Sequence, residues 1–399
     1  MVSERLKTFP EQVEYVLSRL REAGFAAYAV GGCVRDRLRG VEPKDYDVAT
    51  AAVPERVEAI FTDTRVIPTG AKHGTVTVFC PGLPVEVTTF RVDGTYSDGR
   101  RPDAVAFTPS LTEDLARRDF TINAMACGAD GVLVDPFGGR ADLEAGVIRC
   151  VGDPDTRFRE DALRILRALR FSSVLGFHIE AETAAALRRC KALLEKVSAE
   201  RVAGELQKLL CGGDVRRVLT EYADVLGVAL PELSFTAAAA VERTPPEPVL
   251  RWAALFHGSG KPFLLDAALR RLRLDNATRE RIVLLAEWHD RLIEPSERAV
   301  KRALRRLGPE AFAQLIALKR ADDPACDGLE RLAVEILEKG ACFSLEDLAV
   351  RGGDLIAAGM APGPALGEAL DTLLNAVIDG ALPNERDVLM AYLKKEGRF

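Results

Sequence analysis

The stretch VGGCVRDRLRGVEPKDYDVAT, residues 30–50, decides the fold of the first part of the chain. The apolar residues 25–30 predict a strand, the double glycine after it predicts a turn, and a short helix is expected to end at Gly40. Residues 45–49 predict a second strand. A strand, a glycine turn, a helix and a second strand in this order predict a small α/β unit.

Two carboxylates lie on the second predicted strand. Asp45 and Asp47 are two residues apart, so their side chains should project from one face with Cα atoms roughly 6.5 Å apart. Carboxylates so placed suit a pair of Mg²⁺ ions about 3.5–4 Å apart, with substrate phosphates as further ligands. The alternative is that both residues only cap a turn, but the order of elements around them favours the metal site.

The double glycine predicts a phosphate-binding turn. Gly32 leaves the backbone bare where the N-terminal N–H groups of the helix point outward, and Arg35 lies on the first turn of that helix. A guanidinium at this position is placed to bind a triphosphate oxygen.

Two further strands are predicted over 75–80 and 85–91, joined by the hairpin signal PGLP. Glu86 lies in the second of them among β-branched residues, where a carboxylate is costly unless it is paired or binds a metal. A third metal-facing carboxylate and an exposed strand face are both open interpretations. The polar, Gly- and Pro-rich residues 92–110 predict a long loop.

Strand signals fade after Arg149, and the rest of the chain has the three- and four-residue apolar spacing of helices. The segment FREDALRILRALRF predicts one helix over 158–171. Asp161 and Arg164 then share a face, while drift along the helix places Arg170 about half a turn from Asp161. An ion pair on a surface helix is the plain interpretation.

The sharper hypothesis for this helix is base selection. A carboxylate accepts hydrogen bonds and a guanidinium donates them. Cytosine and adenine both offer an exocyclic amine beside a ring acceptor, which such a pair can satisfy. Uracil and guanine present a carbonyl there and would leave the carboxylate unpaired, which is expensive.

Composition limits the class of protein. The chain has 399 residues, 48% of them hydrophobic and 29% charged, which is ordinary for a globular protein and predicts several domains. No apolar run approaches the length of a membrane span and the N-terminus has no signal core, so we expect a cytoplasmic protein. None of the 8 cysteines forms a C-x-x-C pair, which argues against a zinc site. The net charge of −6 means that any nucleic-acid site must be a local basic patch.

These pieces together closely resemble class II tRNA nucleotidyltransferases, the CCA-adding enzymes, which are related to bacterial poly(A) polymerases. The resemblance rests on GGCVRD, DYDVAT, TGAKHGT, VEVTTFR, LARRDFTINAMA, DPFGGRADL and REDALRILRALRF, in the order of the family. It implies an α+β fold: a polymerase-β-like nucleotidyltransferase head followed by an all-α neck, body and tail. The expected divisions are 1–142 for the head, 143–211 for the neck, 212–338 for the body and 339–399 for the tail.

The resemblance also assigns roles to individual residues. Asp45 and Asp47 are expected to hold the catalytic Mg²⁺, and Asp161 and Arg164 to select C and A. The residues expected to contact the rest of the nucleotide are Gly32 and Arg35 at the triphosphate, Arg118 and Asp119 at the incoming nucleotide, the latter near its ribose, and Arg167 and Arg170 in support.

The implied activity is Mg²⁺-dependent, template-independent addition of C, C and A to tRNA 3′ ends from CTP and ATP, with release of pyrophosphate. An enzyme that adds only A and a poly(A) polymerase are the alternatives. The YSDGRRPD loop is expected to be required for A addition, and residues 352–387 resemble the tail that contacts the tRNA elbow. Monomer and homodimer both stay open.

One departure from the family is visible. Residues 251–262 lie where many bacterial relatives carry a His-Asp metal motif, but here His257 is followed by Gly258. His289-Asp290 is a literal His-Asp pair without the expected partners. We expect this region to be a metal-free structural remnant, which argues against an associated phosphohydrolase activity.

Overall fold

The computed structural model describes residues 8–70, 74–94, 105–233, 235–256, 262–323 and 326–398. The chain divides into two compact units, Met1–Ser234 and Phe235–Phe399. The first is α+β, as the sequence predicts, and the described part of the second contains only helices. The division into head, neck, body and tail stays a prediction.

The strands of the first unit are short and follow the β-rich runs of the sequence. They are β1 (Ala27–Val30), β2 (Asp47–Thr50), β3 (Arg65–Gly70), β4 (Thr75–Cys80), β5 (Leu83–Thr89), β6 (Arg91–Asp93), β7 (Val105–Phe107), β8 (Ala126–Cys127), β9 (Leu133–Val134), β10 (Val147–Ile148) and β11 (His178–Ile179). Among the described residues, seven of these form one mixed sheet in the order β3-β4-β5-β2-β1-β8-β9.

The centre of this sheet carries the predicted carboxylates. β2 pairs antiparallel with β1 and parallel with β5, which sets Asp47 directly opposite Glu86. The hairpin of β4 and β5 confirms the predicted pair of strands. The predicted second strand is wrong at its start, because Asp45 lies in the preceding loop and pairing begins at Asp47.

The predicted loop over 92–110 is wrong at both ends. β6 and β7 pair antiparallel, Arg91 opposite Phe107, and Ser110 caps the helix that begins at Leu111. Strand pairing is hard to predict from such a polar, glycine-rich run, because the two paired strands lie at its opposite ends. The YSDGRRPD segment itself lies outside the described residues.

Helices surround the sheet and extend from it. Those of the first unit are α1 (Glu11–Glu22), α2 (Gly32–Arg39), α3 (Pro54–Ile60), α4 (Leu111–Ala116), α5 (Gly139–Ala145), α6 (Pro154–Glu160), α7 (Leu163–Leu175), α8 (Ala181–Cys190), α9 (Ala199–Leu210), α10 (Val215–Glu221) and α11 (Ala223–Ala229). Short 3₁₀ turns cover Thr121–Asn123 and Lys191–Lys196.

The prediction of one helix over 158–171 is wrong. α6 ends at Glu160, and Asp161 adopts extended backbone angles of φ −142° and ψ 103° before α7 begins at Leu163. The Asp161 carboxylate accepts a hydrogen bond from the Leu163 N–H at 3.1 Å. Aspartate competes with the helix in this way, because its short side chain can bond a backbone N–H two residues on.

The second unit is helical throughout its described part. Its helices are α12 (Ala238–Arg243), α13 (Pro248–Phe256), α14 (Pro262–Arg271), α15 (Asn276–His289), α16 (Glu297–Leu307), α17 (Pro309–Arg320), α18 (Asp327–Glu338), α19 (Gly352–Ala357), α20 (Pro364–Ile378) and α21 (Arg386–Lys395). A core around Leu355, Leu373 and Leu389 holds α19, α20 and α21 together. In the described parts of the chain, every helix falls short of the length and apolarity that crossing a membrane requires.

The literal His-Asp pair lies at the end of α15. His289 is buried, with Nδ1 3.3 Å from the Asp290 carboxylate and Nε2 3.3 Å from that of Asp322. Lys319 donates a hydrogen bond to the His289 carbonyl. His257 and Gly258 lie outside the described residues, so the metal-free remnant stays a prediction.

Candidate active site

A cleft of about 570 Å³ opens in the first unit. All ten residues predicted to hold the metal or the nucleotide line it, although they come from four different parts of the sequence between positions 32 and 170. The lining residues are Gly31, Gly32, Arg35, Asp45, Asp47, Arg117, Arg118, Asp119, Asn123, Asp161, Leu163, Arg164, Arg167, Arg170, Phe171 and Arg201.

The glycine turn forms one edge of the cleft. Gly31 has φ 75° and ψ −128°, which an L side chain rarely adopts, and α2 begins at Gly32. A Cβ atom on Gly31 would lie 2.8 Å from Nη1 of Arg118, whereas one on Gly32 would meet only the end of Arg35 at 3.8 Å. The absence of a side chain at Gly31 therefore allows an arginine to approach the turn.

The carboxylates face the cleft next to this turn. Asp45, in the loop before β2, and Asp47, the first residue of β2, are both accessible. Although Asp47 is exposed, the dense protein around its carboxylate raises its pKa by desolvation. Glu86 raises that pKa further, Arg118 opposes the rise and Asp45 adds to it. Mutual repulsion of this kind is relieved by a cation, and oxygen donors are what Mg²⁺ prefers.

The described protein side chains in the cleft provide too few ligands to hold a metal ion by themselves. In the described residues, no three side chains of His, Cys, Asp or Glu converge closely enough to hold a metal ion on their own. Glu86 is exposed on its strand and does not line the cleft. Two carboxylates together with the phosphate oxygens of a bound nucleotide would match the way Mg²⁺ usually binds at nucleotide sites.

Buried polar groups connect α2 to α7 across the floor of the cleft. Arg35 donates to Asp36 through two bonds of 2.9 Å and to the Asn123 side chain at 2.7 Å. Asn123 in turn donates to Asp119 at 3.1 Å, and Arg167 donates to Asp119 at 2.8 Å. Sequence reasoning missed Asn123, although it lies in the LARRDFTINAMA segment, which was the only available signal.

The Asp119 carboxylate is the buried centre of this network. Its Oδ1 also accepts the Phe120 N–H at 2.8 Å, and Nη2 of Arg167 lies 2.6 Å from its Oδ2. Burial alone would raise the pKa of Asp119, but Arg167 and the Asn123 hydrogen bond outweigh burial and hold that pKa at about 2. The group is therefore a permanent acceptor at neutral pH.

A second buried carboxylate holds the two adjacent arginines of the same segment. Asp114 on α4 is fully buried and lies 2.7 Å from Nη2 of Arg117 and 3.3 Å from Nη2 of Arg118. Burial raises the pKa of Asp114, but the two guanidinium groups reverse that effect and lower the pKa. Asp114 thereby orients Arg118 toward the glycine turn.

The two residues predicted to select the base both line the cleft, but not as one helical face. Asp161 lies in the break between α6 and α7, and its Oδ2 accepts a hydrogen bond of 2.7 Å from Arg201 on α9. Arg164 is buried and donates to Glu160 at 2.6 Å and to the Arg117 carbonyl at 2.9 Å. Sequence reasoning missed Arg201, which lies 40 residues from its partner.

Arg170 lines the same cleft as Asp161. The count that places Arg170 about half a turn from Asp161 assumes an unbroken helix, and the chain leaves the helix at Asp161. Nε of Arg170 lies 2.7 Å from Oε2 of Glu205 on α9, and Nη1 of Arg167 lies 4.0 Å from Oε1.

Family models match three parts of the chain. Residues 27–149 match the model described as "Poly A polymerase head domain". Residues 176–234 match "Probable RNA and SrmB- binding site of polymerase A", and residues 247–393 match domain 2 of tRNA nucleotidyltransferases. The first match covers the sheet and the glycine turn.

Curated relatives match almost the whole chain. The CCA-adding enzyme of Limosilactobacillus fermentum is 39% identical over 406 residues, which is 97% of this chain and 98% of the relative. That of Geobacillus stearothermophilus is 39% identical over 402 residues and 96% of each chain.

Solved structures agree with this. The crystal structure of Bacillus stearothermophilus CCA-adding enzyme in complex with CTP matches with a TM-score of 0.83 and 34% identity over 98% of each chain. The Thermotoga maritima CCA-adding enzyme complexed with tRNA matches in fold, with a TM-score of 0.71 and 24% identity over 99% of this chain and 98% of that one. The chain therefore belongs to the family of CCA-adding enzymes, which are tRNA nucleotidyltransferases.

Proposed function

We propose that this chain adds C, C and A to the 3′ ends of tRNA from CTP and ATP, releases pyrophosphate and uses Mg²⁺. The observation that supports the proposal most is the convergence of the ten sequence-predicted residues on one cleft. Enzymes of this family use divalent metal ions, and the carboxylates described above have the hard oxygen donors that suit Mg²⁺.

Asp45 and Asp47 are the residues that would hold the metal. Bound Mg²⁺ supplies positive charge at the reacting phosphate and favours loss of the proton from the attacking hydroxyl. No general-base side chain is needed for this chemistry. The remaining requirement is that the chain hold the nucleotide in line with the tRNA 3′ hydroxyl, and positioning is the main contribution of the protein in phosphoryl transfer.

The triphosphate end of the nucleotide is assigned to the glycine turn. Gly32 begins α2, whose N-terminal N–H groups and positive dipole end suit an anion. Arg35 and Arg118 add guanidinium groups on either side of the turn. Asp119, held ionised by Arg167, is assigned to the ribose, whose hydroxyl would replace one of the N–H donors that the carboxylate now accepts.

The base is assigned to Asp161 and Arg164. The carboxylate accepts from the exocyclic amine of cytosine or adenine, and the guanidinium donates to the adjacent ring acceptor. Arg201 engages one oxygen of Asp161 and the Leu163 N–H engages the other, which leaves one lone pair on each oxygen for the base. A uracil or guanine carbonyl in the same place would face a carboxylate without a proton between them.

The partner that we propose is tRNA, in the cytoplasm. Residues 352–387, which include α19 and α20, are the part of the second unit assigned to the tRNA elbow from the sequence. The acidic net charge favours one structured RNA over a broad range of RNA ends, because a general RNA-binding protein is usually basic.

One experiment separates the proposal from its alternatives. Three tRNA transcripts, ending before CCA, after C and after CC, are incubated with the purified protein, Mg²⁺ and CTP, ATP or both. Growth of the shortest transcript to a complete CCA end supports the proposal. Addition of A to the longest transcript alone indicates an enzyme that adds only A, and long A tails on every transcript indicate a poly(A) polymerase; either result overturns it.

A further inference from the structure

Phe171 lies at the centre of an unusual group of cations. Its ring is mostly buried in the wall of the cleft. The guanidinium carbons of Arg170, Arg35 and Arg167 lie 4.0, 5.2 and 5.4 Å from the centre of that ring. Two of these arginines come from α7 and one from α2, so the ring joins two elements that are distant in sequence.

Three like charges around one point repel each other. Burial lowers the pKa of Arg170, and Arg167 and Arg35 lower it further against the opposing effect of Glu205. Arg170 also forms an ion pair with Glu205, with Nε 2.7 Å from Oε2, although the two atoms lack the alignment of a hydrogen bond. This cation therefore has a close carboxylate partner as well as the ring.

The aromatic ring adds to the attraction of Asp36, Asp119 and Glu205, each of which pairs with one of the three arginines. The negative face of the ring attracts a cation within about 6 Å of its centre, and the attraction grows where water is excluded. All three guanidinium carbons meet that distance. Leucine at this position would be apolar but smaller and would supply no such field.

We propose that Phe171 is a positioning residue for the triphosphate of the incoming nucleotide, which acts by holding Arg35, Arg167 and Arg170 in one cluster through its π face. The inference rests on the proposed function, because it takes the occupant of the cluster to be a nucleoside triphosphate. It assigns to Phe171 no contact with the base, so selection between C and U should not depend on it.

Plain packing is the competing explanation. Phe120 packs its ring against Phe171 edge to face, with centres 5.8 Å apart, so Phe171 also packs α7 against the start of the 3₁₀ turn Thr121–Asn123. A substitution that only removes volume does not distinguish the two roles. The experiment must change the electrostatics of the ring while its shape is kept.

Fluorination makes that change. Phe171 is replaced by phenylalanines that carry one, two and three fluorines, and the Kd for CTP is measured without tRNA so that no turnover occurs. Each fluorine weakens the negative face of the ring. We expect the Kd for CTP to rise stepwise to about 3–10-fold in the trifluoro form, the Kd for cytidine to stay constant and the melting temperature to change little.

Two further measurements complete the test. The same series at Phe158, which is fully buried in α6, is the control and should leave the Kd for CTP unchanged. Phe171→Tyr, which keeps the aromatic face, should retain CTP binding. A Kd that stays flat across the Phe171 series overturns the inference while the proposed function stands. Wild-type protein that binds no CTP overturns both.

Discussion

The Asp119 carboxylate illustrates how single residues shape the cleft. It accepts hydrogen bonds from Phe120, Asn123 and Arg167. Asp119 thereby connects the 3₁₀ turn Thr121–Asn123 to helix α7. Because these partners favour the charged form, the same contacts that orient Asp119 also couple the stability of the protein to pH.

Asp119→Asn should flatten that pH dependence. The folded state lowers the pKa of Asp119 from 3.8 to about 2, so its contribution is complete at neutral pH and is lost as the pH falls from about 4 toward 2. The contribution is about 2 kcal/mol. Urea unfolding from pH 5 to pH 2.5 should show a steeper loss in the wild type than in Asp119→Asn. Asp63→Asn removes an exposed carboxylate and is the control. Parallel slopes for wild type and Asp119→Asn would contradict the prediction.

Asp47→Asn should separate activity from stability. Nucleotide addition should fall by at least about a thousandfold, because the metal loses a charged ligand. The melting temperature should stay the same or rise, since Glu86 and Asp45 no longer face a like charge. Retained turnover would refute the metal role.

Glu86→Gln, measured beside Asp47→Asn, tests the role of the residue opposite Asp47. It relieves the same repulsion, so the melting temperature should rise here too. Retained activity would assign Glu86 an electrostatic role alone, and lost activity would assign it to the metal.

At this scale the sequence predicts charged residues that line the cleft, but not the residues that hold them. Asp45, Asp47 and Arg35 were recognisable because short motifs place them. Asn123, Phe171 and Arg201 act on residues 88, 136 and 40 positions away. Contacts over such separations depend on tertiary packing, which no local pattern encodes.

Among the elements, the short linkers were harder to predict than the helices and strands. The hairpin of β4 and β5 and the helix α2 follow directly from β-branched runs and from glycine at the helix end. The break at Asp161 was missed because apolar spacing continues through it. Apolar spacing indicates which residues are buried. Residues on both sides of the extended Asp161 are buried, so the spacing does not show that the helix is interrupted there.

The turn before α2 allows a test at this scale. Gly31→Ala should destabilise the protein by about 1–3 kcal/mol, because it forces a side chain into φ 75° and against Arg118. Gly32→Ala, one residue on at the first position of α2, is the matched variant and should change stability by less than about 1 kcal/mol. Equal losses in the unfolding free energy would show that the strain at Gly31 is unimportant.

The whole molecule consists of two units, and the described lining of the cleft lies in the first of them. The sequence predicted this α/β beginning and helical continuation from the loss of strand signals alone. The number of compact units was not predictable, because helices of one unit and the next have the same apolar period.

Matched core substitutions should reveal this division. Leu373 in α20 and Leu166 in α7 are both fully buried, and replacing either with alanine should cost about 2–5 kcal/mol. Leu166→Ala should also weaken CTP binding, because α7 carries Arg164 and Arg167. Leu373→Ala should leave the Kd for CTP unchanged at 25 °C. A similar loss of CTP binding in both variants would show that the second unit supports the cleft.

The break between α6 and α7 has a consequence for redesign. Asp161 lies on a linker residue and Arg164 on helix α7, so the spacing of the proposed base-selecting pair is set by the linker and not by helical geometry. Transplanting the two side chains onto an unbroken helix would impose a different spacing, so a graft of the proposed specificity must carry the interruption with it.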